Sequence, residues 1–355
     1  MKPLHSLGVA CLLVPCLGKS LPAYGWDNPG HMAVAGVAFD ELTKDQQTKL
    51  ASLLRQHPLL SFINEGFPGG SVSSDHAICL AGATWPDLAR RHATPVKEDA
   101  VTNPQGDDIF DTGYEEQSPA VTEVHFDHLL HRGWHFIDTP LWVDKTHPMP
   151  AQLPPAPAVN AVGVVKVLVQ QLKTNESDAA KAYDLCWLMH LVGDLHQPLH
   201  AVNGISEALR HGDRGGNEVG LDGANGGEKD LHAFWDNVLG KTAAEDKTTG
   251  HPRLDRDVAT ASKIVTDVAH LSMGTDKDNL DPMAWAQESF TLAGQDAYDL
   301  TLRPTLAERP GSHHAPKKLE ATLSADYAAT AKQVAGERVR LGGHRLALLL
   351  KDILK

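Results

Sequence analysis

The stretch Leu188-Met189-His190-Leu191-Val192-Gly193-Asp194-Leu195-His196-Gln197-Pro198-Leu199-His200 predicts the centre of the fold. His190 and Asp194 are four residues apart, so a helix carries both side chains on one face, about one turn from each other. Pro198 predicts that the helix ends near Gln197. His200 can then turn back toward the helix from a fixed loop.

Apolar residues surround this pair, which indicates a buried helix. An ionised carboxylate is costly in such surroundings unless it meets a cation, and a metal ion would be such a cation. The alternative is a helix with a hydrogen-bonded core histidine and a capping aspartate. This segment alone does not separate the two interpretations.

Composition limits the kinds of partner. The chain has 355 residues, enough for one large domain or two ordinary ones. Its formal net charge of -13 argues against duplex binding through a broad basic surface. A phosphate substrate would need a local source of positive charge, which bound divalent ions could supply. Twenty histidines, against four cysteines and six methionines, favour nitrogen and oxygen ligation of zinc.

The first 25 residues predict a signal peptide, with a weakly basic start, a short apolar run and small residues before Trp26. Cleavage after Gly25 would make Trp26 the mature N-terminus, and we expect export to the periplasm or secretion. No later segment is apolar for long enough to span a membrane. Cys79 and Cys186 would remain in the mature chain, as buried thiols or as a disulfide.

A nitrogen-rich corner is predicted at the start of the mature chain. Asn28-Pro29-Gly30 opens a helix to about Leu42, and His31 lies in its first turn. A terminal amine on Trp26 would have an unperturbed pKa of about 7.7 to 8.0, so it could serve as a ligand near neutral pH. The amine, the Trp26 carbonyl and His31 could converge on one ion. A surface histidine near a frayed end is the alternative.

Two short stretches carry further candidate residues. Trp85-Pro86-Asp87-Leu88-Ala89-Arg90 places an acid and a guanidinium on one turn, although an ordinary ion pair at a helix end explains this equally well. Trp134-His135-Phe136-Ile137-Asp138 combines an imidazole, an aromatic ring and a carboxylate in a short extended or loop stretch. Between them, from about His92 to Glu123, the composition indicates a long surface excursion. We expect the remaining polar candidates of this region to lie at the surface or behind the ligands: His125, Asp127, His128 and His131.

The second half of the chain repeats the helical pair. His232 and Asp236 have the spacing of His190 and Asp194, and a loop that contains His200 joins the two predicted helices. Two such pairs make a metal site the favoured interpretation. The glycine-rich loop Gly212-Asp213-Arg214-Gly215-Gly216-Asn217 is either a tight turn or a place where backbone approaches a phosphate.

The fold class follows from periodicity. We predict helices at about 30–42, 43–56, 75–85, 159–173, 179–197, 258–270, 282–302 and 320–354. No convincing β alternation and no internal repeat appear. The sequence therefore predicts an all-α protein with a single, mostly helical domain.

Six ordered motifs resemble the S1/P1 nuclease family, the zinc-dependent single-strand-specific type I nucleases of the phospholipase C/P1 nuclease fold. The resemblance covers residues 26–355, and its motifs are Trp26-x4-His31, Trp85-Pro86-Asp87-x2-Arg90, His135-Phe136-Ile137-Asp138, His190-x3-Asp194-x5-His200, Gly215-Gly216-Asn217 and His232-x3-Asp236. It implies three zinc ions in a cleft. The Asp87 to His135 interval is longer here than in the fungal members of the family.

The resemblance also implies the residue roles. The first ion would be held by Asp87, His135, His190 and Asp194, and the second by His200, His232 and Asp236. The third would take the Trp26 amine and carbonyl, His31 and a bridging Asp194. Asp87 would be a catalytic metal ligand, and Arg90 and Asn217 would stabilise the transition state. Phe136 would stack a base, and Asp138 would hydrogen-bond the edge of that base.

The expected activity is hydrolysis of single-stranded DNA and RNA to 5′-phosphorylated products, together with 3′-nucleotidase activity on 3′-nucleotides. We expect a monomer with no stable protein partner. One alternative is a zinc phospholipase C, but the short Trp26 to His31 spacing and the aspartate at Asp236 favour the nuclease. A second is an exported zinc-binding or storage protein without turnover, which would have no use for Arg90, Phe136, Asp138 and Asn217 around the ions.

Overall fold

The computed structural model describes residues 25–89, 121, 123–126, 131–174, 176–221, 228–304 and 319–355. Several sequence predictions fall outside these residues. They are the leader up to residue 24, Arg90, Asp127, His128 and almost all of the excursion from His92 to Glu123.

Helices dominate the described part of the chain, so the all-α prediction is confirmed. The longest helices are α7 and α11, and α7 contains His190 and Asp194. The α-helices are α1 (Asn28–Asp40), α2 (Lys44–Leu54), α3 (Leu60–Asn64), α4 (Asp75–Gly82), α5 (Trp85–Ala89), α6 (Ala161–Gln171), α7 (Asp178–Leu195), α8 (Leu231–Asn237), α9 (Leu254–Val268), α10 (Pro282–Leu292) and α11 (Ala325–Ile353). Within the described ranges, none of them is long and apolar enough to cross a bilayer.

Local sequence signals explain most helix starts. Thr43 forms a capping box with Gln46 at the start of α2, and Ser177 accepts a hydrogen bond from the Ala180 amide at the start of α7. In α8 the Asp230 carboxylate does the same for the Ala233 amide. These caps satisfy backbone donors that have no partner inside the helix.

The C-terminal third departs from the predicted boundaries. The helix predicted to reach Leu302 ends as an α-helix at Leu292. A π-helical turn, Ala293–Ala297, follows it directly. The last helix begins at Ala325, because Ser324 caps it and the residues predicted to open it form a strand instead. Strand formation at Leu319–Ala321 depends on a distant partner, Val219–Leu221, which local periodicity does not reveal.

Two small sheets lie within this helical frame. Strand β1 (Thr139–Trp142) pairs in parallel with β2 (Val202–Ile205). In the other sheet β5 (Leu319–Ala321) lies between β3 (Val219–Leu221) and β4 (Arg303–Pro304). A smaller apolar core lies against the strands and α8, separate from the main core.

Helix α7 runs through the main core. Every residue from Ala182 to Leu195 is buried, and α1, α2, α6 and α11 all pack against it. A helix that is apolar on all sides is expected at such a position. The polar groups of α7 therefore lie inside the protein, where each needs a partner.

Candidate metal centre

Three groups of histidine and aspartate side chains lie close together in the interior. In each group the potential ligand atoms are all within 4.8 Å of one another. The groups are His31, His190 and Asp194; Asp87, His135 and His190; and His200, His232 and Asp236. All of these residues are buried except Asp87, which is half-buried. The structure thus brings together all eight side chains that the sequence predicted as ligands.

Asp194 lies at the centre of these groups. Its Oδ2 atom is 3.0 Å from His135 Nδ1 and 3.4 Å from His190 Nε2. Its Oδ1 atom is 3.4 Å from both His31 Nε2 and His200 Nδ1. One fully buried carboxylate thus faces four imidazole rings. Only His190 shares helix α7 with Asp194, so the other three rings come from other parts of the chain.

Backbone carbonyls orient three of the imidazole rings. His190 Nδ1 donates to the Ala83 carbonyl, His200 Nδ1 to the His135 carbonyl and His232 Nδ1 to the Gly215 carbonyl, each at 2.8 Å. Because the proton of each neutral ring lies on Nδ1, the Nε2 lone pair is directed away from the carbonyl. This is the usual arrangement behind histidine ligands of zinc.

Burial also decides the charge of these groups. It lowers the pKa of His200 well below its usual value, and the nearby His232 lowers it further, so the ring is neutral. Burial raises the pKa of Asp236 well above its usual value, although Gln197 Nε2 donates a hydrogen bond to Oδ1 at 2.7 Å. Neutral imidazoles and desolvated carboxylates are a donor set that suits a divalent cation. The residues present therefore fit zinc.

The pairing of β1 with β2 connects the group of Asp87, His135 and His190 with the group of His200, His232 and Asp236. The Ile137 amide donates to the His200 carbonyl at 2.9 Å, immediately before the paired strands. Phe136 is half-buried, with its ring centroid 4.6 Å from that of His200. Asp138 has a φ of 52°, an uncommon backbone conformation for a residue other than glycine. Phe136 therefore borders the group of His200, His232 and Asp236, and Asp138 lies immediately before β1.

The N-terminal segment enters the same cluster. The indole of Trp26 is buried and donates to the Gly193 carbonyl at 3.0 Å, and the His31 ring stacks on His190 with centroids 3.8 Å apart. The Gly25 amide donates to His200 Nε2 at 2.7 Å. A Cβ atom on Gly25 would lie 2.3 Å from Asp194 Oδ1. Residue 25, when still attached to Trp26, therefore occupies space among the ligands.

The glycine-rich loop is a tight turn. The Gly216 amide donates to the Asp213 carboxylate at 3.0 Å, and the Asn217 amide to the Arg214 carbonyl at 3.3 Å. These amides are used inside the loop, which favours the turn interpretation over direct approach to a phosphate. Asn217 is buried at the end of this turn, and its Nδ2 donates to the Arg214 carbonyl at 2.8 Å.

The other histidine candidates that the structure describes lie outside the three groups. His125 is exposed and 3.3 Å from Glu123, and His131 stacks on Trp134 with ring centroids 3.7 Å apart. Cys79 and Cys186 are buried free thiols, and burial raises the pKa of both.

Sequence reasoning missed three residues that support the groups. They are Gln197, which contacts Asp236, and the pair Asp213 and Tyr298 beneath the glycine-rich loop. Gln197 is the last residue of the predicted helix, but nothing local connects it to a carboxylate 39 residues later. Asp213 lies inside the glycine-rich loop, where the sequence pattern indicates a role for the glycines and none for the carboxylate.

Comparison with known proteins agrees with this geometry. A sequence model of the S1/P1 nuclease family matches residues 26–355, essentially the whole chain. A search of curated proteins found no match. Members of this family are zinc-dependent nucleases, which are hydrolases that act on phosphodiester bonds of nucleic acids. With a match of this length and histidine and aspartate groups that could bind metal, the chain belongs to the S1/P1 nuclease family.

Proposed function

We propose that the protein is an endonuclease that cleaves single-stranded DNA and RNA, leaves 5′-phosphorylated products and also hydrolyses 3′-nucleotides. The observation that carries this proposal is the meeting of three ligand groups at Asp194, with the ring of Phe136 against His200 and Asp138 two residues further along the chain. A site that only stored zinc would need neither an aromatic ring nor a second carboxylate at its border.

Three zinc ions are proposed, with the ligands expected from the family resemblance. Asp87, His135, His190 and Asp194 would hold the first, and His200, His232 and Asp236 the second. The amine and carbonyl of Trp26, with His31 and Asp194, would hold the third. Zinc bound there supplies positive charge for phosphoryl oxygens and lowers the pKa of water toward neutrality.

The protein side chains would orient the substrate. Asn217 would donate its amide to a non-bridging phosphoryl oxygen, and Arg90 would add a guanidinium. Phe136 would stack an unpaired base, and Asp138 would accept a hydrogen bond from the edge of that base. Stacking of this kind requires a base that has left its helix, which favours single strands over duplexes.

Export is part of the proposal. We infer cleavage after Gly25 and release to the periplasm or the medium, because the third ion needs a free amine on Trp26. N-terminal sequencing of the protein recovered outside the cytoplasm tests this, and a first residue other than Trp26 would contradict it.

The decisive experiment uses protein that begins at Trp26, released from a cleavable fusion and loaded with zinc. Single-stranded DNA and RNA oligonucleotides, a matched duplex and a phosphatidylcholine substrate are incubated in parallel. We expect cleavage of both single strands, termini that a 5′-phosphate-dependent ligase accepts, and little diacylglycerol. Preferential release of diacylglycerol would favour phospholipase C, and inactivity on all four substrates would favour a zinc-binding protein without turnover.

A further inference from the structure

A buried carboxylate with no role in the proposed chemistry lies under the glycine-rich loop. Asp213 is fully buried, and its Oδ1 accepts hydrogen bonds from the amides of Gly204 at 2.8 Å and Gly216 at 3.0 Å. Its Oδ2 accepts a hydrogen bond from the Tyr298 hydroxyl at 2.7 Å. Three donors from three separate segments thus hold this carboxylate in one orientation.

The loop above Asp213 has an unusual backbone. Arg214, Gly215 and Gly216 have φ values of 57°, 60° and 86°, three consecutive residues in the left-handed region. The two glycines adopt it freely, whereas Arg214 keeps it only where the surroundings impose it. Here the Asp213 carboxylate binds the Gly216 amide, and Asn203 Oδ1 accepts from the Arg214 amide at 2.9 Å. These two contacts fix the turn at both sides of Gly215.

The turn carries two groups of the proposed site. The Gly215 carbonyl accepts the Nδ1 proton of His232, so it directs His232 Nε2 toward His200 and Asp236. Asn217 follows at the end of the turn. A displacement of the loop would therefore rotate a proposed zinc ligand and move a proposed substrate contact together.

Tyr298 completes the arrangement from another part of the chain. It is buried just after the π-helical turn, where burial, and then the Asp213 carboxylate, raise its pKa well above the usual value. The hydroxyl therefore keeps its proton and remains a donor. The negative charge of Asp138 raises the same pKa.

We propose that Asp213 and Tyr298 are positioning residues that lock the glycine-rich loop, so that the second zinc site and Asn217 have their working geometry. The inference rests on the proposed function for the roles of the second ion and Asn217. Neither residue is assigned a contact with zinc or with substrate.

The test compares Asp213→Ala, Asp213→Asn and Tyr298→Phe, all in protein that begins at Trp26. Zinc affinity is measured by competition with a chromophoric chelator, kcat and KM on a single-stranded oligonucleotide, and stability by thermal unfolding. The matched control is Asp184→Asn, which alters another buried carboxyl, one that accepts a hydrogen bond from Gln171 at 3.0 Å and lies nearer the start of α7.

We expect Asp213→Ala to weaken the second zinc and lower kcat by about 10- to 100-fold, the usual effect of removing a group behind a metal ligand, with KM little changed. Asp213→Asn keeps one acceptor oxygen and should restore part of both values, and Tyr298→Phe should cause a smaller loss than Asp213→Ala. Should Asp213→Ala fail to fold, the other two variants decide.

The inference is wrong if these variants bind zinc and turn over like the wild type, or lose only thermal stability as the control does. The chelator competition needs no activity. A wild type that binds three zinc ions but does not cleave nucleic acid would overturn the proposed function, and the affinity of the Asp213 variants would still test the positioning role.

Discussion

Asp194 is the residue on which most of the proposed site depends, because its two oxygens face His31, His135, His190 and His200. We expect Asp194→Asn to abolish nearly all nuclease activity. The amide is neutral and offers one oxygen instead of two, so two proposed ions lose an anionic ligand at once. Elemental analysis should show a loss of bound zinc in parallel.

Asp184→Asn is the matched control, since it makes the same change in another buried aspartate of the same helix. Retention of most activity by Asp194→Asn, with the full zinc content still bound, would contradict the bridging role.

Phe136 should contribute to substrate binding rather than to the chemical step. Stacking on an aromatic ring is worth about 1–3 kcal/mol per base, so Phe136→Ala should raise KM for oligonucleotides by roughly tenfold and change kcat little. Steady-state kinetics on a short single strand measure both values. Phe126→Ala, which removes an exposed ring that contacts Tyr183, is the control and should leave KM as it is. An unchanged KM in Phe136→Ala would remove that ring from base binding.

At the scale of elements, the N-terminal segment has a fixed path into the cluster. The Asp27 amide donates to the Asp236 carbonyl at 3.2 Å, and the Asn28 amide to Thr242 Oγ1 at 3.1 Å. Asn28 Nδ2 also donates to Asp257 Oδ2 at 2.9 Å. These contacts do not depend on whether a residue precedes Trp26, so any preceding residue is directed into the space between His31, Asp194 and His200.

We therefore predict that protein which retains Ala23-Tyr24-Gly25 binds less zinc than protein which begins at Trp26. Its Trp26 nitrogen is a peptide amide and not an amine, and Gly25 crowds the third site. Native mass spectrometry of both forms counts the ions. Equal zinc content in the two forms would show that the terminal amine is not a ligand.

Helices α10 and α11 are joined by a buried ion network behind the cluster. The Glu288 carboxylate accepts two hydrogen bonds from the fully buried Arg345 and one from Arg338, each at 2.7 Å. Arg345 also donates to His196 Nε2 at 3.0 Å, just beyond the end of α7. The network thus connects α10 and α11 to α7, the helix that carries His190 and Asp194.

Glu288→Ala should destabilise the fold by about 3–5 kcal/mol, because it leaves two buried guanidinium groups without their counter-ion. Denaturant unfolding measures the change. The control is Asp267→Ala, which breaks an exposed pair with Lys263 and should lower the free energy of unfolding much less. Equal effects of the two substitutions would mean that the buried network contributes no more than a surface pair.

For the whole molecule, the formal charge of -13 and the buried Asp194 and Asp236 carboxylates predict that bound cations contribute to the stability. A ligand that binds only the folded state stabilises it by about 2.7 kcal/mol when present at 100 times its Kd. We expect chelation to lower Tm by at least several degrees, and added zinc to restore it. Calorimetry with and without a chelator measures this, and an unchanged Tm would contradict structural zinc binding.

Much of this protein is determined by local sequence. The apolar flanks of His190 and Asp194 require a buried helix, Pro198 ends it, and the spacing of His232 and Asp236 repeats the pair. The patterns alone favour His190, Asp194, His200, His232 and Asp236, because a spacing of four residues fixes a shared helix face and because a buried carboxylate needs a cation. The full set of eight proposed ligands follows from the family resemblance.

Only the tertiary structure decided which distant groups complete the site. The meeting of four imidazoles at Asp194, the strand at Leu319–Ala321, the contact of Gln197 with Asp236 and the pairing of Asp213 with Tyr298 all join segments remote in sequence. Periodicity and capping describe neighbours along the chain, whereas a hydrogen bond such as that of Tyr298 to Asp213 exists only once packing has brought its two ends together. For that reason the sequence predicts candidate ligands, and the fold shows which groups orient them.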